Sequence, residues 1–261
     1  MVRLESASSI NTYKQCPRKY YYNYIEKIKS LPNIYCLRGN ALHSTLEEFF
    51  NLDISILSEG SYEIELTIIS HEVFRKEWEN RIEEINNIGL EPAKLAFFKK
   101  ESEDMLNTWL KAFFKKLGIE MKERSFKDAF ERLRPQTELY FESQKYQVRG
   151  YIDAIHEIEG QITLMDYKTS KKDSMTEEYK LQLGIYSLLY YEKFGKVPDR
   201  VGLDLLRHGE RIIDVDDALV ERAKKETLAM VERTSSDDKE TYPMQESRLC
   251  YWCDFKKFCN K

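Results

Sequence analysis

The residues best suited to chemistry form a short run, Gly150-Tyr151-Ile152-Asp153, followed thirteen residues later by Asp166-Tyr167-Lys168. Two carboxylates brought together by paired strands can hold a hard divalent cation through oxygen. Lys168, two residues beyond Asp166, points to the same strand face. Such a cation would lower the pKa of a bound water and clamp a phosphate oxygen. Lys168 would then orient the nucleophile or neutralise charge developing in the transition state. The same spacing suits a solvated salt bridge at a strand end, so these residues alone do not fix a function.

A second set is the cysteines: Cys16, Cys36, Cys250, Cys253 and Cys259. An odd number in a chain without an apolar leader argues against a disulfide framework. Cys250-x2-Cys253-x5-Cys259 packs three thiols into ten residues, a spacing suited to a soft metal centre whose fourth ligand must come from afar. Four thiolates serve structural zinc as well as an iron–sulfur cluster.

The elements that must position these groups follow from periodicity. Ser6 to Ser9 can cap a helix carrying Ile10 and Tyr13; Pro17 interrupts it, and helical spacing resumes through Tyr20, Tyr21, Tyr24, Ile25 and Ile28. Gly39-Asn40 precedes a helix with Leu42, Thr45, Leu46 and Phe49 inward, and the stretch from about Ser61 to Phe126 reads as helical throughout. After Pro135 the β-formers Leu139 to Ile155 lead through a Glu159-Gly160 turn into Ile162 to Tyr167, which reads as an antiparallel hairpin. Glu177 to Phe194 is a helix with Gly195 as its stop. Val201 to Leu206 and Arg211 to Val215 are strands joined at His208-Gly209, and Asp216 or Asp217 caps a last helix. The expected fold is an α/β core with a mixed sheet, flanking helices and a helical insertion.

Composition sets the limits. The chain has 261 residues, 42% hydrophobic and 33% charged, which excludes disordered, collagen-like and disulfide-scaffold classes. No segment approaches the roughly 18 apolar residues of a membrane span, so we expect a cytoplasmic protein with no membrane partner. The formal net charge of -4 argues against a nonspecific polyanion binder. Charge is nevertheless uneven: residues 1 to 30 carry six bases and two acids, residues 51 to 91 three bases and ten acids.

The ordered set Ser8, Tyr13, Cys16-Pro17, Tyr20-Tyr21, Gly39-x3-His43, Gly150-x2-Asp153, Asp166-x-Lys168, Gln182-x3-Tyr186 and the terminal cysteines resembles RecB-like nucleases of the PD-(D/E)XK superfamily. The likeness is to their iron–sulfur branch, the CRISPR-associated RecB-like exonucleases and the AddB nuclease domain. It spans both ends and residues 135 to 190, with the helical middle unmatched. Related proteins often carry Glu where this chain has Asp166.

The resemblance implies a restriction-endonuclease-like core in a single nuclease domain, 1-261. Its parts would be N-terminal helices (1-50), a helical insertion (51-134), a catalytic core (135-233) and a cysteine segment (234-261). It also implies His43, Asp153, Asp166 and the Tyr167 carbonyl as Mn2+ or Mg2+ ligands, with Lys168 catalytic. Gln182 and Tyr186 would contact the DNA backbone or brace Lys168, and Glu138 is either a further active-site carboxylate or a solvated strand residue. Cys16, Cys250, Cys253 and Cys259 would hold a four-iron four-sulfur cluster that staples the chain ends, leaving Cys36 over. Arg18, Lys19 and the Tyr20 run could contact single-stranded DNA, although the helical spacing places most of those tyrosines in the core.

The expected activity is metal-dependent exonuclease action on single-stranded or frayed DNA in repair, recombination or CRISPR spacer acquisition, with helicase or CRISPR adaptation proteins as partners. A non-catalytic DNA-binding or assembly subunit and a zinc-stabilised interaction domain are the other readings that the same residues allow.

Overall fold

The computed structural model describes residues 3–30 and 32–259. Its centre is a five-stranded sheet in the order β1-β2-β3-β4-β5: β1 (Gln136–Ser143), β2 (Val148–Ile158), β3 (Gln161–Lys168), β4 (Arg200–Leu205) and β5 (Gly209–Asp214). All neighbours run antiparallel except β3 and β4, which are parallel. A parallel pair needs a crossover, and α8 (Glu177–Phe194) supplies it. Thr176 caps α8 and Gly195, at φ 72, ends it, as the sequence indicated.

The stretch expected to be one hairpin is three strands. Its first turn, at residues 144–147, contains neither Gly nor Pro, so composition gave no break there. The third helix also starts earlier than expected: α3 spans Ile34–Phe50 under an Asn33 cap, so Gly39 lies inside it. The helical middle is interrupted, comprising α4 (Tyr62–Glu79), α5 (Ile82–Asn87), α6 (Pro92–Glu120) and α7 (Phe126–Leu133).

Two apolar layers sandwich the sheet. On one face α3 to α7 pack Phe49, Trp109, Phe113 and Phe130 over Met165 and Tyr167. On the other, α8, α9 (Asp217–Arg233) and α1 (Ala7–Gln15) pack Ile10, Leu188 and Val220 over Ile155, Leu164 and Leu203. Each large side chain so buried contributes about 1.5–3 kcal/mol. Gly150 admits the second layer closely, since a Cβ there would stand 3.4 Å from the Tyr186 ring.

The N-terminal segment is tied to β2. Glu5 N–H donates to Gln147 O at 2.8 Å and Arg149 N–H donates back at 2.7 Å. The Glu5 carboxylate is buried but satisfied, by Tyr20 and Ser9 hydroxyls at 2.6 Å each and Arg3 Nε at 2.9 Å. Among the described residues no helix is long and apolar enough to cross a membrane.

Candidate active site

Three neighbouring strands carry three carboxylates into one place. Asp153 lies on β2, one step past the Ala154↔Met165 pair where the recorded β2–β3 ladder stops, and so faces Asp166 of β3. Glu138 of β1 stands opposite Asp153 where the β1–β2 ladder skips a pair. Asp153 and Asp166 are buried, and a buried pair of like charges needs other groups to hold it.

Those groups divide the site in two. Around Asp153, Oδ2 accepts the Tyr167 N–H at 2.7 Å. His43, from α3, sets Nδ1 3.4 Å from the same oxygen and 3.9 Å from Glu138 Oε1. Its Nε2 faces the Tyr167 carbonyl at 2.9 Å. One ligand atom each from His43, Glu138 and Asp153 falls within 4.8 Å of the others. Around Asp166, Lys168 Nζ approaches Oδ2 at 2.6 Å, while Gln182 Nε2 and Tyr186 OH donate to Oδ1 at 2.7 and 3.2 Å. The Gln182 oxygen accepts from Lys168 at 3.0 Å, so α8 braces both members of the Asp-x-Lys element.

The electrostatics follow from burial and from neighbours. Burial, then the Asp166 charge, pushes Asp153 well above the usual carboxylate range. Burial and Asp153 raise Glu138 to about 7. His43 is lowered chiefly by burial, which keeps the imidazole neutral: Nε2–H donates to the Tyr167 carbonyl and the Nδ1 lone pair, facing Asp153 and Glu138, is free to ligate. Burial alone would lower Lys168, but Asp166 beside it outweighs that and holds the ammonium above its ordinary value.

The structure brings His43, Asp153, Asp166, Lys168, Gln182 and Tyr186 together in one constellation. Gln182 bonds both Asp166 and Lys168 and Tyr186 bonds Asp166, the contacts expected of braces. Glu138, which the sequence left between an active-site carboxylate and a solvated strand residue, stands in the gathered donor set. Two further contributors enter only here: Tyr179 places its ring 5.4 Å from Lys168 Nζ, and Glu47 acts on Glu138 through its charge. Glu47 had a readable signal, four residues after His43 and therefore on the same face of α3.

Tyr20 requires a correction. It is fully buried, bonded to Glu5 and packed among Tyr13, Tyr24 and Tyr242, so no face is left for a base to stack on. Arg18 also turns inward: Nε donates to Tyr242 O at 2.7 Å and its side chain is 13% exposed. Lys19 bonds Gln15 at 2.9 Å and lines the cysteine cavity.

That cavity, about 320 Å3, is lined by Cys16, Cys250, Cys253 and Cys259. Backbone N–H groups of Gln245 and Ser247 donate to the sulfurs of Cys16 and Cys250. Burial and the other three thiols raise Cys259, and Cys36 is exposed on α3.

A mixed five-stranded sheet thus carries a carboxylate row, an Asp-x-Lys pair and a histidine donor, of which His43, Glu138 and Asp153 could hold a metal ion. Residues 5–260 match the model of the PD-(D/E)XK nuclease superfamily. The chain belongs to that superfamily, as a RecB-like deoxyribonuclease. It is 25% identical to Gene 69 protein of Mycobacterium phage L5 over 99% of this chain and 97% of the phage protein. It is 27% identical to the CRISPR-associated exonuclease Cas4 of Francisella tularensis subsp. novicida (strain U112), over 57% of this chain and 74% of that one. A crystal structure from Eubacterium rectale shares the fold with a TM-score of 0.52 at 13% identity, over 96% of this chain and 87% of that one.

Proposed function

We propose that the chain is a metal-dependent exonuclease acting on single-stranded or frayed DNA ends. The observation that carries this reading is the His43, Glu138 and Asp153 donor set standing beside a braced Asp166–Lys168 pair. Mixed imidazole and carboxylate donors suit manganese and magnesium. A divalent cation there would polarise the scissile phosphate and acidify a water. Asp153 and His43 supply donors whose orientation is set by the Tyr167 N–H and carbonyl. Lys168, held by Asp166 and Gln182, offers an ammonium to the developing phosphate charge. The likeness to Cas4, named a CRISPR-associated exonuclease, supports ends as the point of attack and a CRISPR setting; DNA repair or recombination, with a helicase or CRISPR adaptation proteins as partners, belongs to the same proposal.

The four cysteines line one cavity and could together hold an iron–sulfur cluster, the reading that the family resemblance favours over structural zinc. The test is digestion of end-labelled single-stranded, blunt duplex and circular single-stranded DNA with Mn2+, Mg2+ or EDTA. Loss of linear single strands with metal, and survival of circles, is expected. Survival of all substrates with either metal would leave the chain a DNA-binding subunit.

A further inference from the structure

Tyr35, Gly39 and His43 recur at every fourth residue of α3 and share one stripe of the helix. Tyr35 is 56% exposed and the other two are partly exposed, whereas Ile34, Leu37 and Ala41 bury the side turned away from them and Leu42 closes the buried edge beside Tyr35. At 1.5 Å per residue, Tyr35 stands about 12 Å along the helix from His43. Glycine inside a helix costs about 1 kcal/mol relative to alanine. A Cβ at Gly39 would meet only Thr169 Oγ1, 3.8 Å away, so protein packing does not demand glycine there. What it leaves is an open floor between Tyr35 and the metal-binding histidine.

Tyr35 is held in place at the far end of that floor. Its ring meets Phe98 edge-on with centroids 5.4 Å apart, and the Arg38 guanidinium lies 5.0 Å from its centroid. Arg38 is 2% exposed, pairs with Glu101 and donates to Thr169 O at 3.3 Å. Arg207 and Lys171 reach the same Glu101 at 2.9 and 3.6 Å. Three cations on one carboxylate leave an excess of two positive charges beside the stripe, and the Lys171 side chain is 67% exposed. A braced, exposed aromatic next to a cationic surface is the arrangement that stacks a base while its phosphates are attracted alongside.

We infer that Tyr35 is a stacking platform for a nucleobase of single-stranded DNA whose backbone crosses Gly39 toward His43, with Lys171 facing its phosphates. The inference rests on the nuclease reading for the direction of the strand. Its test needs no cleavage. The full-length chain in EDTA is titrated with single-stranded oligonucleotides carrying 2-aminopurine at successive positions. One position should be quenched by the wild type and by Tyr35→Trp, and not by Tyr35→Ala.

Tyr35→Ala should weaken single-strand binding by between about 5- and 150-fold, the range for one stacked base. An oligonucleotide abasic at the quenched position should bind wild type and Tyr35→Ala alike. Tyr35 is exposed in the first turn of α3, and an unchanged melting curve for the variant confirms folding. Equal binding by Tyr35→Ala, equal loss on the abasic strand, or no single-strand binding by the wild type each overturns the inference. Binding and quenching as expected without any metal-dependent cleavage would instead overturn the nuclease reading alone.

Discussion

Glu138 stands opposite Asp153 at the skipped rung between β1 and β2, with its backbone at φ 50. A residue with a side chain held in the left-handed region costs on the order of 1–3 kcal/mol. That conformation accompanies a carboxylate aimed at His43 and Asp153. Glu138→Gly should therefore keep or raise thermal stability while weakening Mn2+ binding by at least roughly 10-fold, since loss of a group that only orients a ligand already costs about 10- to 100-fold. Calorimetry showing unchanged manganese affinity would remove Glu138 from the site.

Asp166→Asn and Lys168→Ala should each lower single-turnover cleavage by at least about 10²-fold, because both act where charge develops on the phosphate. Gln182→Ala should cost less, since it removes a brace and leaves the reacting groups. Wild-type turnover in either of the first two variants would sink the assignment, provided circular dichroism shows the fold intact.

A pH effect should arise on the other sheet face, in the cavity of about 400 Å3 between α6 and the strands. Burial, then Glu210, raises Asp204 to about 7, against Lys116 and a Trp109 hydrogen bond. Burial, then Lys116, lowers His156 to about 4, against Glu210 and the Leu133 backbone. Asp204 thus binds its proton more tightly when folded, so its penalty is full above pH 7 and fades as pH falls toward the unfolded value. His156 does the reverse, losing stability as pH falls from about 6.5 to 4. Asp204→Asn should stabilise the protein above pH 7, by up to about 4 kcal/mol, and make it more acid-labile than wild type between pH 6.5 and 4. Denaturant midpoints across that range test this, and parallel curves for the two proteins would refute it.

Protein purified without oxygen should be coloured by thiolate-to-iron absorption. Serine at any one of Cys16, Cys250, Cys253 or Cys259 should bleach it and cost about 2–4 kcal/mol, the range for a cross-link closing a long loop. Cys36→Ser should do neither. Stoichiometric zinc in a colourless preparation would replace the cluster while keeping the ligands.

Local patterns were readable where one segment carried the whole signal. Asp-x-Lys on β3, the α8 boundaries with the Gly195 stop, and the Asp216 cap all depend on neighbours in sequence. Glu138 was readable as either an active-site carboxylate or a solvated strand residue, and its positive φ was not, because a glutamate rarely adopts that conformation. The Glu101 hub was illegible for a different reason: its partners lie at positions 38, 171 and 207, and only tertiary packing joins them. The tyrosine run misled because aromatic residues beside bases suit either a core or a nucleic-acid face, and burial decides between them.

The contacts of the site differ greatly in how far apart along the chain their partners lie. Asp153 with Tyr167, Lys168 with Gln182, Asp166 with Gln182 and Asp166 with Tyr186 span 14, 14, 16 and 20 residues, but His43 reaches Tyr167 across 124. The Asp–Lys brace therefore closes over short loops within one contiguous stretch, and the imidazole arrives only after a much longer closure. The expected order of assembly follows from that difference: a chain in which α3 has not docked would hold its lysine in place and still lack the histidine of the donor set.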